Sequence, residues 1–414
     1  MLLTLLLTLP TLQGATSYVP DDYPSIQGAL NAVSAGDTIV VRPGSYFETA
    51  LNFAGKDIHL RSEAGPNVTI IDGMALDSVF DFAYGEGPDC IVQGFTITNG
   101  RKWDGGGISI EPDALGNASS PTILDCIISG NVGDGGAGGI HIGPGSTTLV
   151  KNCLIEQNTV VNYYGGAGAF FDCTPVFENC TIRDNTVPAF GGGFAVWGTT
   201  LLTMRNCVMS GNFPDILTYV GGPPPTPVME YCLIEGGTGE AWFSATCVDA
   251  APEYATGPNG DAYLSAIAAG QAVDSPCIDA GDPATSFYSY TRTDGGFDVG
   301  VVDMGFHYPM TGPELVPSAL IGGAAATVEI RNNAAGDLVL LGYSLGGGGP
   351  LPTPYGTAYI GNPYFLSPLI PADAEGVATL VKNIPAAASG QTVRAQGLNQ
   401  TQGVLTNPIE TTIQ

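Results

Sequence analysis

Apolar and polar residues alternate in short runs along most of the chain, and between residues 90 and 235 the runs return at a fixed interval. Four segments carry the pattern: Cys126-Ile127-Ile128-Ser129-Gly130-Asn131, Cys153-Leu154-Ile155-Glu156-Gln157-Asn158, Cys180-Thr181-Ile182-Arg183-Asp184-Asn185 and Cys207-Val208-Met209-Ser210-Gly211-Asn212. Their cysteines are 27 residues apart, and each asparagine follows its cysteine by five. A looser copy starts at Cys232, and Phe95-Thr96-Ile97-Thr98-Asn99-Gly100 is an earlier relative. Alternation within each copy (Cys126/Ile128, Cys180/Ile182) is strand periodicity, and a fixed period in this range means a stacked solenoid. Gly105-Gly106-Gly107, Gly138-Gly139, Gly165-Gly166 and Gly191-Gly192-Gly193 punctuate the copies as turns. No copy holds a long amphipathic stretch, which excludes helical and leucine-rich repeats. At a rise of roughly 3.3 Å per residue, about 27 residues make three short strands and three turns, one coil of a parallel β-helix. Equivalent residues then stack into an interior thiol ladder and an asparagine turn ladder.

The flanks differ from the repeats. Met1-Leu2-Leu3-Thr4-Leu5-Leu6-Leu7-Thr8-Leu9-Pro10 reads as the apolar core of a signal peptide over residues 1–15, without the usual basic start. The competing reading is a buried N-terminal strand. Ile26, Ala29, Leu30 and Val33 stand at helical spacing, predicting a short helix from near Asp22/Pro24 to Gly36 that caps the solenoid. Thr38-Ile39-Val40-Val41, Ile58-His59-Leu60 and Val68-Thr69-Ile70-Ile71 begin the first coils.

Residues 23–100 and the repeats resemble the secreted right-handed parallel β-helix proteins of the pectin-lyase-like superfamily. The nearest likeness is to bacterial members with Gly-Phe-Thr-Ile-Thr-Asn-Gly and Asn-Cys-x-Ile-x-x-Asn repeats. Asn259-Gly260-Asp261-Ala262-Tyr263-Leu264, Ser275-Pro276-Cys277-Ile278-Asp279-Ala280-Gly281-Asp282-Pro283 and Val302-Asp303-Met304-Gly305 resemble the closing signature of such helices. The resemblance spans roughly residues 16–309. It implies a scaffold and not an activity, because this superfamily includes lyases, hydrolases, epimerases and adhesins. Its lyases use an Arg or Lys base beside calcium-binding acids, and Arg183 and Arg205 have no evident set of acid partners. The Asp-Pro-His-Glu run of the epimerases and the paired aspartates of polygalacturonases are missing. No catalytic residue carries over.

Residues 310–317 read as a linker by composition, and residues 318–414 contain short alternating strands between Gly/Pro/Asn turns. Ala326-Thr327-Val328-Glu329-Ile330, Leu338-Val339-Leu340-Leu341, Gly376-Val377-Ala378-Thr379-Leu380-Val381 and Thr392-Val393-Arg394-Ala395-Gln396 predict a small antiparallel β-sandwich. The architecture expected is therefore all-β: a capped three-stranded parallel β-helix of about 27-residue coils over residues 16–309, then the sandwich.

Charge narrows the partners. The chain has 12 Lys+Arg against 39 Asp+Glu, a net charge of −27. Nucleic acid and anionic membrane surfaces are poor partners for it, since few basic groups could release counterions. With 59 Gly and 31 Pro but 44% hydrophobic residues, the composition fits a turn-dense β-structure rather than disorder. No later segment is long and apolar enough to span a bilayer. Nine cysteines in an apparently exported chain invite disulfides. Stacked cysteines, however, would hold their Cβ atoms near the strand spacing of about 4.8 Å, beyond the roughly 3.8 Å of a disulfide. Cys126, Cys153, Cys180 and Cys207 read as small buried hydrophobes rather than bridges, and Cys247 with Cys277, outside the ladder, as the favoured pair.

Three clusters are candidates for chemistry. Aligning the strands after the Gly runs gives Ile108-Ser109-Ile110-Glu111, Ile140-His141-Ile142-Gly143, Ala169-Phe170-Phe171-Asp172 and Phe194-Ala195-Val196-Trp197. This alignment puts Glu111, His141, Asp172 and Trp197 on one exterior face. Glu111 and Asp172 would lie roughly 9–10 Å apart by strand spacing. That is near the upper range of about 6.5–9.5 Å for the acid and base of an inverting glycosidase. Gly143 would leave room between them; the competing reading is a solvated polar face. Trp103, Tyr163, Tyr164 and Phe190 precede the Gly runs and would line one edge, as a carbohydrate platform or as turn shields. Asp279, Asp282, Asp294, Asp298 and Asp303 form an oxygen-rich set suited to Ca²⁺ or to turn capping. Gly342-Tyr343-Ser344-Leu345-Gly346 matches a nucleophile-elbow pattern, but His59, His141 and His307 all precede it. It reads as a strand end. Function is expected to be binding of extracellular polysaccharide or cell-surface matrix without catalysis, by a secreted or surface-attached protein. The alternative is a polysaccharide hydrolase or lyase.

Overall fold

The computed structural model describes residues 14–414 apart from 214–216, 221–225, 286–288, 295–297, 299–300, 310–311, 313, 318–319, 332, 334–335, 346–350 and 374–375. The expected signal segment up to residue 13 lies outside the described residues. Two compact units emerge: residues up to Met204 with Met209–Val228, and Arg205–Val208 with Met229–Gln414.

The first unit opens with strand Thr16–Val19 and helix Ile26–Ala32. The Ser25 hydroxyl accepts from Gly28 N at 3.1 Å, and the Glu48 carboxylate accepts from Ile26 N and Gln27 N at 2.7 and 2.9 Å. Three N–H groups that a helix start leaves unpaired are thereby satisfied. Those donors set the start at Ile26, two residues beyond Pro24. Ile26, Ala29 and Leu30 are buried against the first strands.

Three parallel sheets follow. The first runs through Thr16–Val19, Thr38–Val41, His59–Ser62, Ile91–Gln93, Thr122–Leu124, Leu149–Lys151 and Val176–Glu178. The second takes Gly44–Phe47, Thr69–Asp72, Thr96–Thr98, Ile127–Ser129, Leu154–Glu156 and Thr181–Arg183. The third takes Phe80–Phe82, Ile108–Ile110, Ile140–Ile142, Gly168–Phe171, Phe194–Trp197 and Leu217–Val220. Each sheet advances by one strand per coil, so every coil is a three-sided turn of a solenoid. Inward rows stack in register: Ile123/Val150/Phe177, Ile128/Ile155/Ile182 and Ile110/Ile142/Phe170/Val196. All of these side chains are buried, each contributing about 1.5–3 kcal/mol.

Both ladders form. Asn131 donates from N and Nδ2 to Asn158 Oδ1, both at 3.0 Å. Asn158 repeats this on Asn185 at 3.0 and 3.0 Å, and Asn185 on Asn212 at 3.2 and 2.9 Å. The second proton of each amide reaches Ile97 O, Ile128 O, Ile155 O and Ile182 O in turn, each at 2.9 Å. The thiols of Cys126, Cys153 and Cys180 donate to the carbonyls two residues back at 3.1–3.4 Å. Burial pushes the Cys153 thiol far up, and its neighbours Cys126 and Cys180 add to the shift. The same period marks a further row of residues. Asp125, Asn152, Asn179 and Asn206 just before the cysteines all adopt the left-handed conformation, φ 51–54°, which Asn and Asp tolerate best. Glycine is obligatory at Gly107 and Gly139. A Cβ there would stand 2.7 Å from Gly139 O and 2.4 Å from Ala167 O.

The second unit contains strand Leu233–Ile234, hairpin Tyr254–Gly257/Gly260–Leu264 and a core of Val208, Leu233, Leu264, Cys277 and Met304. Cys277 is buried there, while Cys247 sits beside Cys232 and hydrogen-bonds Ser244 Oγ at 3.4 Å. The expected Cys247–Cys277 bridge is not formed: both are free thiols in different surroundings. Glu314–Pro317, within the Pro-rich stretch, pairs antiparallel with Ala325–Arg331, which pairs with Ala378–Asn383. Leu338–Leu345, Tyr364–Leu366, Thr392–Asn399 and Val404–Thr412 form an antiparallel second sheet. Leu315, Val328 and Ile330 from one sheet meet Val339, Leu341, Ala395 and Ile409 from the other in one core. Ser344 lies inside a strand, fully buried, and its Oγ accepts from Gly361 N at 3.0 Å. Among the described residues no helix is long and apolar enough to cross a membrane.

Candidate functional site

The outer face of the third sheet carries Glu111, His141 and Trp197 in the expected alignment, whereas the copy that leads to Asp172 is one step out of it. Pairing aligns Asp81, Ser109, His141, Ala169, Ala195 and Thr218 in one row. The third copy starts at Gly168 rather than Ala169, and a one-residue slip exchanges the two faces of a strand. Phe170 therefore points into the core, 4.8 Å from Phe194 and 5.5 Å from Phe177 between ring centroids. Phe171 is 43% exposed instead. The ring of Phe170 fills the room left by Gly168, where a Cβ would stand 3.0 Å from it.

Asp172 consequently leaves the row of Glu111. It turns at φ 46° and accepts from Thr199 N and Oγ1 at 2.7 and 2.9 Å. These bonds hold its carboxyl below the usual range and make it a turn cap outside the row of Glu111. Glu111 pairs with His141 instead, Oε1 to Nε2 at 2.9 Å. Its other oxygen lies over Gly143, where a Cβ would stand only 2.5 Å away. The space expected at Gly143 is filled by Glu111 itself. Among the described residues His141 Nδ1 is buried without a hydrogen-bond partner, and the His141 Cβ lies close to Gly105.

Beside this face lies a small lateral sheet that alternation alone did not announce. Arg101–Asp104, Val132–Gly136 and Thr159–Val160 pair in parallel, and single bridges extend the row through Gly136, Tyr164 and Phe190. The row is dressed with rings: Trp103 to Tyr163 at 6.4 Å, Tyr163 to Tyr164 at 5.7 Å, and Tyr164 edge-on to Trp197 at 4.2 Å between centroids. Trp103, Tyr163 and Phe190 are 59%, 50% and 57% exposed. Trp197 was expected on the sheet face and joins the edge through Tyr164. Phe190 stands in register with Tyr164, exposed and outside the stack. Two glycines make the bed: a Cβ at Gly135 would fall 2.5 Å from Trp103 Nε1, and one at Gly136 2.7 Å from Asp104 Oδ1. Neither Asp104 nor this glycine pair stood out in the sequence, although Gly135-Gly136 ahead of a Gly turn was legible.

The cations nearby are engaged. Lys102 Nζ pairs with Asp81 at 2.8 Å, and Arg101 with Asp134 at 2.8 Å. Burial and the charge of Asp104 raise the Tyr164 phenol above its ordinary value.

The acidic set divides. Asp279, Asp298 and Asp303 bring one carboxylate oxygen each within 4.8 Å of one another. Asp294 instead pairs with Arg292 at 2.6 Å, and Asp282 caps Ala284 N at 2.9 Å beside Arg205. Asp303 accepts from Asp279 N and the Thr291 hydroxyl, and Asp298 from Asp303 N and His307 Nε2, both at 2.8 Å. Burial and neighbouring Asp298 raise the Asp303 carboxyl to about 6, and the same causes raise Asp279. Ca²⁺ takes about 6–8 oxygens; three carboxylates, two of them already bonded to protein donors, fit a self-satisfied polar core better than a calcium cage.

Residues 106–248 match the family model described as right handed beta helix region. Comparison with curated proteins and with solved structures gives no match. That match lies on coils of the three parallel sheets described above, so this part of the chain is a right-handed parallel β-helix, an architecture consistent with the pectin-lyase-like superfamily.

Proposed function

We propose that this β-helix binds extracellular carbohydrate or matrix through its lateral aromatic edge, without catalysis, as an exported or surface-attached protein. The continuous row of ring contacts Trp103–Tyr163–Tyr164–Trp197 carries the reading, since Trp103 and Tyr163 are half or more exposed. Rigid aromatic faces bind sugar rings with little loss of side-chain entropy. Purified protein passed over immobilised neutral, uronic and amino polysaccharides is expected to be retained on at least one. Trp103→Ala and Tyr163→Ala should each weaken retention about tenfold. Retention unchanged in both variants would move binding elsewhere.

A second reading, a glycoside hydrolase, rests on the Glu111–His141 pair at 2.9 Å. New reducing ends that vanish in Glu111→Gln would establish it over simple binding. Against it, Asp172 is hydrogen-bonded to Thr199 and stands outside the row of Glu111, unlike the facing carboxylates of most glycosidases.

A further inference from the structure

We infer that the aromatic edge selects glycans bearing free, protonated amino groups over neutral and uronic ones, an inference that rests on the carbohydrate-binding reading. Asp104 is the carrying observation. Its carboxylate and the Tyr164 ring flank one backbone position: a Cβ at Gly136 would stand 2.7 Å from Asp104 Oδ1 and 3.3 Å from the Tyr164 ring edge. No hydrogen bond or ion pair engages the Asp104 carboxylate among the described residues, although Lys102 and Arg101 are its near neighbours in sequence. Both cations face other acids, Lys102 toward Asp81 and Asp77 and Arg101 toward Asp134.

A carboxylate beside electron-rich ring faces, with neighbouring cations held elsewhere, attracts a cation twice over. The carboxylate supplies charge, and the faces of Trp103, Tyr163 and Tyr164 supply a cation–π field. A uronic acid would bring a second negative charge to Asp104, with Glu111 on the neighbouring face and a net charge of −27 on the chain. A neutral sugar can stack and donate hydroxyls, but leaves the carboxylate charge uncompensated. An amino sugar satisfies rings and carboxylate together.

The test uses the whole chain and one oligosaccharide in two forms: a β-1,4-linked glucosamine hexamer and its fully N-acetylated counterpart. Acetylation keeps length, linkage and ring faces while removing the charge. Calorimetry at mildly acidic pH, where the hexamer's amines are protonated, and physiological salt is expected to give at least tenfold tighter binding of the free amine, with polygalacturonate oligomers unbound. Asp104→Asn should reduce the preference to within about twofold. Asp89→Asn, an exposed acid on another side of the coil, controls for diffuse attraction to a polycation and should change nothing. Equal affinity for the two hexamers, or a preference that survives Asp104→Asn or falls equally with Asp89→Asn, would overturn the inference. Trp103-dependent binding of both hexamers alike would leave the carbohydrate-binding function intact. Binding of neither hexamer nor any other glycan would remove both.

Discussion

Asn158 and Asn399 are both fully buried asparagines with their amides in hydrogen-bond networks, one in the solenoid and one in the antiparallel unit. Asn158 belongs to a row of identical residues 27 apart, each bonded to the next coil. Asn399 donates to Asn333 Oδ1 at 3.0 Å and Asp337 Oδ2 at 2.7 Å, across sequence separations of 66 and 62. The chemistry is the same, and the connectivity is not. A stack of parallel coils converts translation along the sequence into translation along an axis, so a repeated polar residue meets its own copy. An antiparallel sandwich joins residues whose separation follows from loop lengths alone, and no period marks them.

The sharpest way to break this comparison is to remove each amide. Asn158→Ala takes away the acceptor of two Asn131 donors, the Nδ2 donor to Asn185 Oδ1 and the partner of Ile128 O. A cost of about 3–5 kcal/mol is expected, with faster hydrogen exchange along several coils. Asn399→Ala leaves Asp337 its bond to Gln402 Nε2, so about 2–3 kcal/mol is expected, with faster exchange confined to residues 314–414. Exchange changes of equal spread in both variants would deny that the ladder is cooperative.

A smaller effect concerns the acidic core. The Asp303 carboxyl is raised to about 6 in the fold by burial and by Asp298, against about 3.9 in an unfolded chain. A raised acid contributes stability that is complete below the unfolded value and lost as pH climbs through the folded one. The protein should therefore lose stability from about pH 4 to about 6 through this group. Asp303→Asn should flatten that slope, gaining up to about 2 kcal/mol over the native chain at pH 8 and nothing at pH 4. Urea midpoints across this range give the answer; a pH-independent difference would mean that Asp303 is ionised throughout.

The smallest effect falls on the thiols. Cys126, Cys153, Cys180 and Cys207 are fully buried, whereas Cys247 is half-buried. An alkylating reagent at neutral pH should label Cys247 first and the ladder only after unfolding. Cys153→Ala should cost about 1 kcal/mol, a packing loss rather than a lost network. Labelling of Cys153 in the native state would show that the coils open locally.

The asparagine and cysteine ladders were legible because each needs only the period and strand alternation. The row of Asp172 was misread because Gly168 looks like one more residue of the turn, whereas the space it leaves receives the ring of Phe170. Five aspartates near the end of the helix looked like one set by composition. Only Asp279, Asp298 and Asp303 converge, and arginines draw Asp282 and Asp294 away.

The sequence by itself determined the coil, its three short strands, the ladders and the antiparallel character of the C-terminal region. All of these follow from local alternation repeated at a constant interval. Tertiary structure alone decided the lateral sheet, the meeting of Tyr164 with Trp197, the placement of the Asp104 carboxylate beside Tyr164 and the pairing of Glu111 with His141. These depend on side-chain direction and on a register that one residue can reverse, and neither is written in the period.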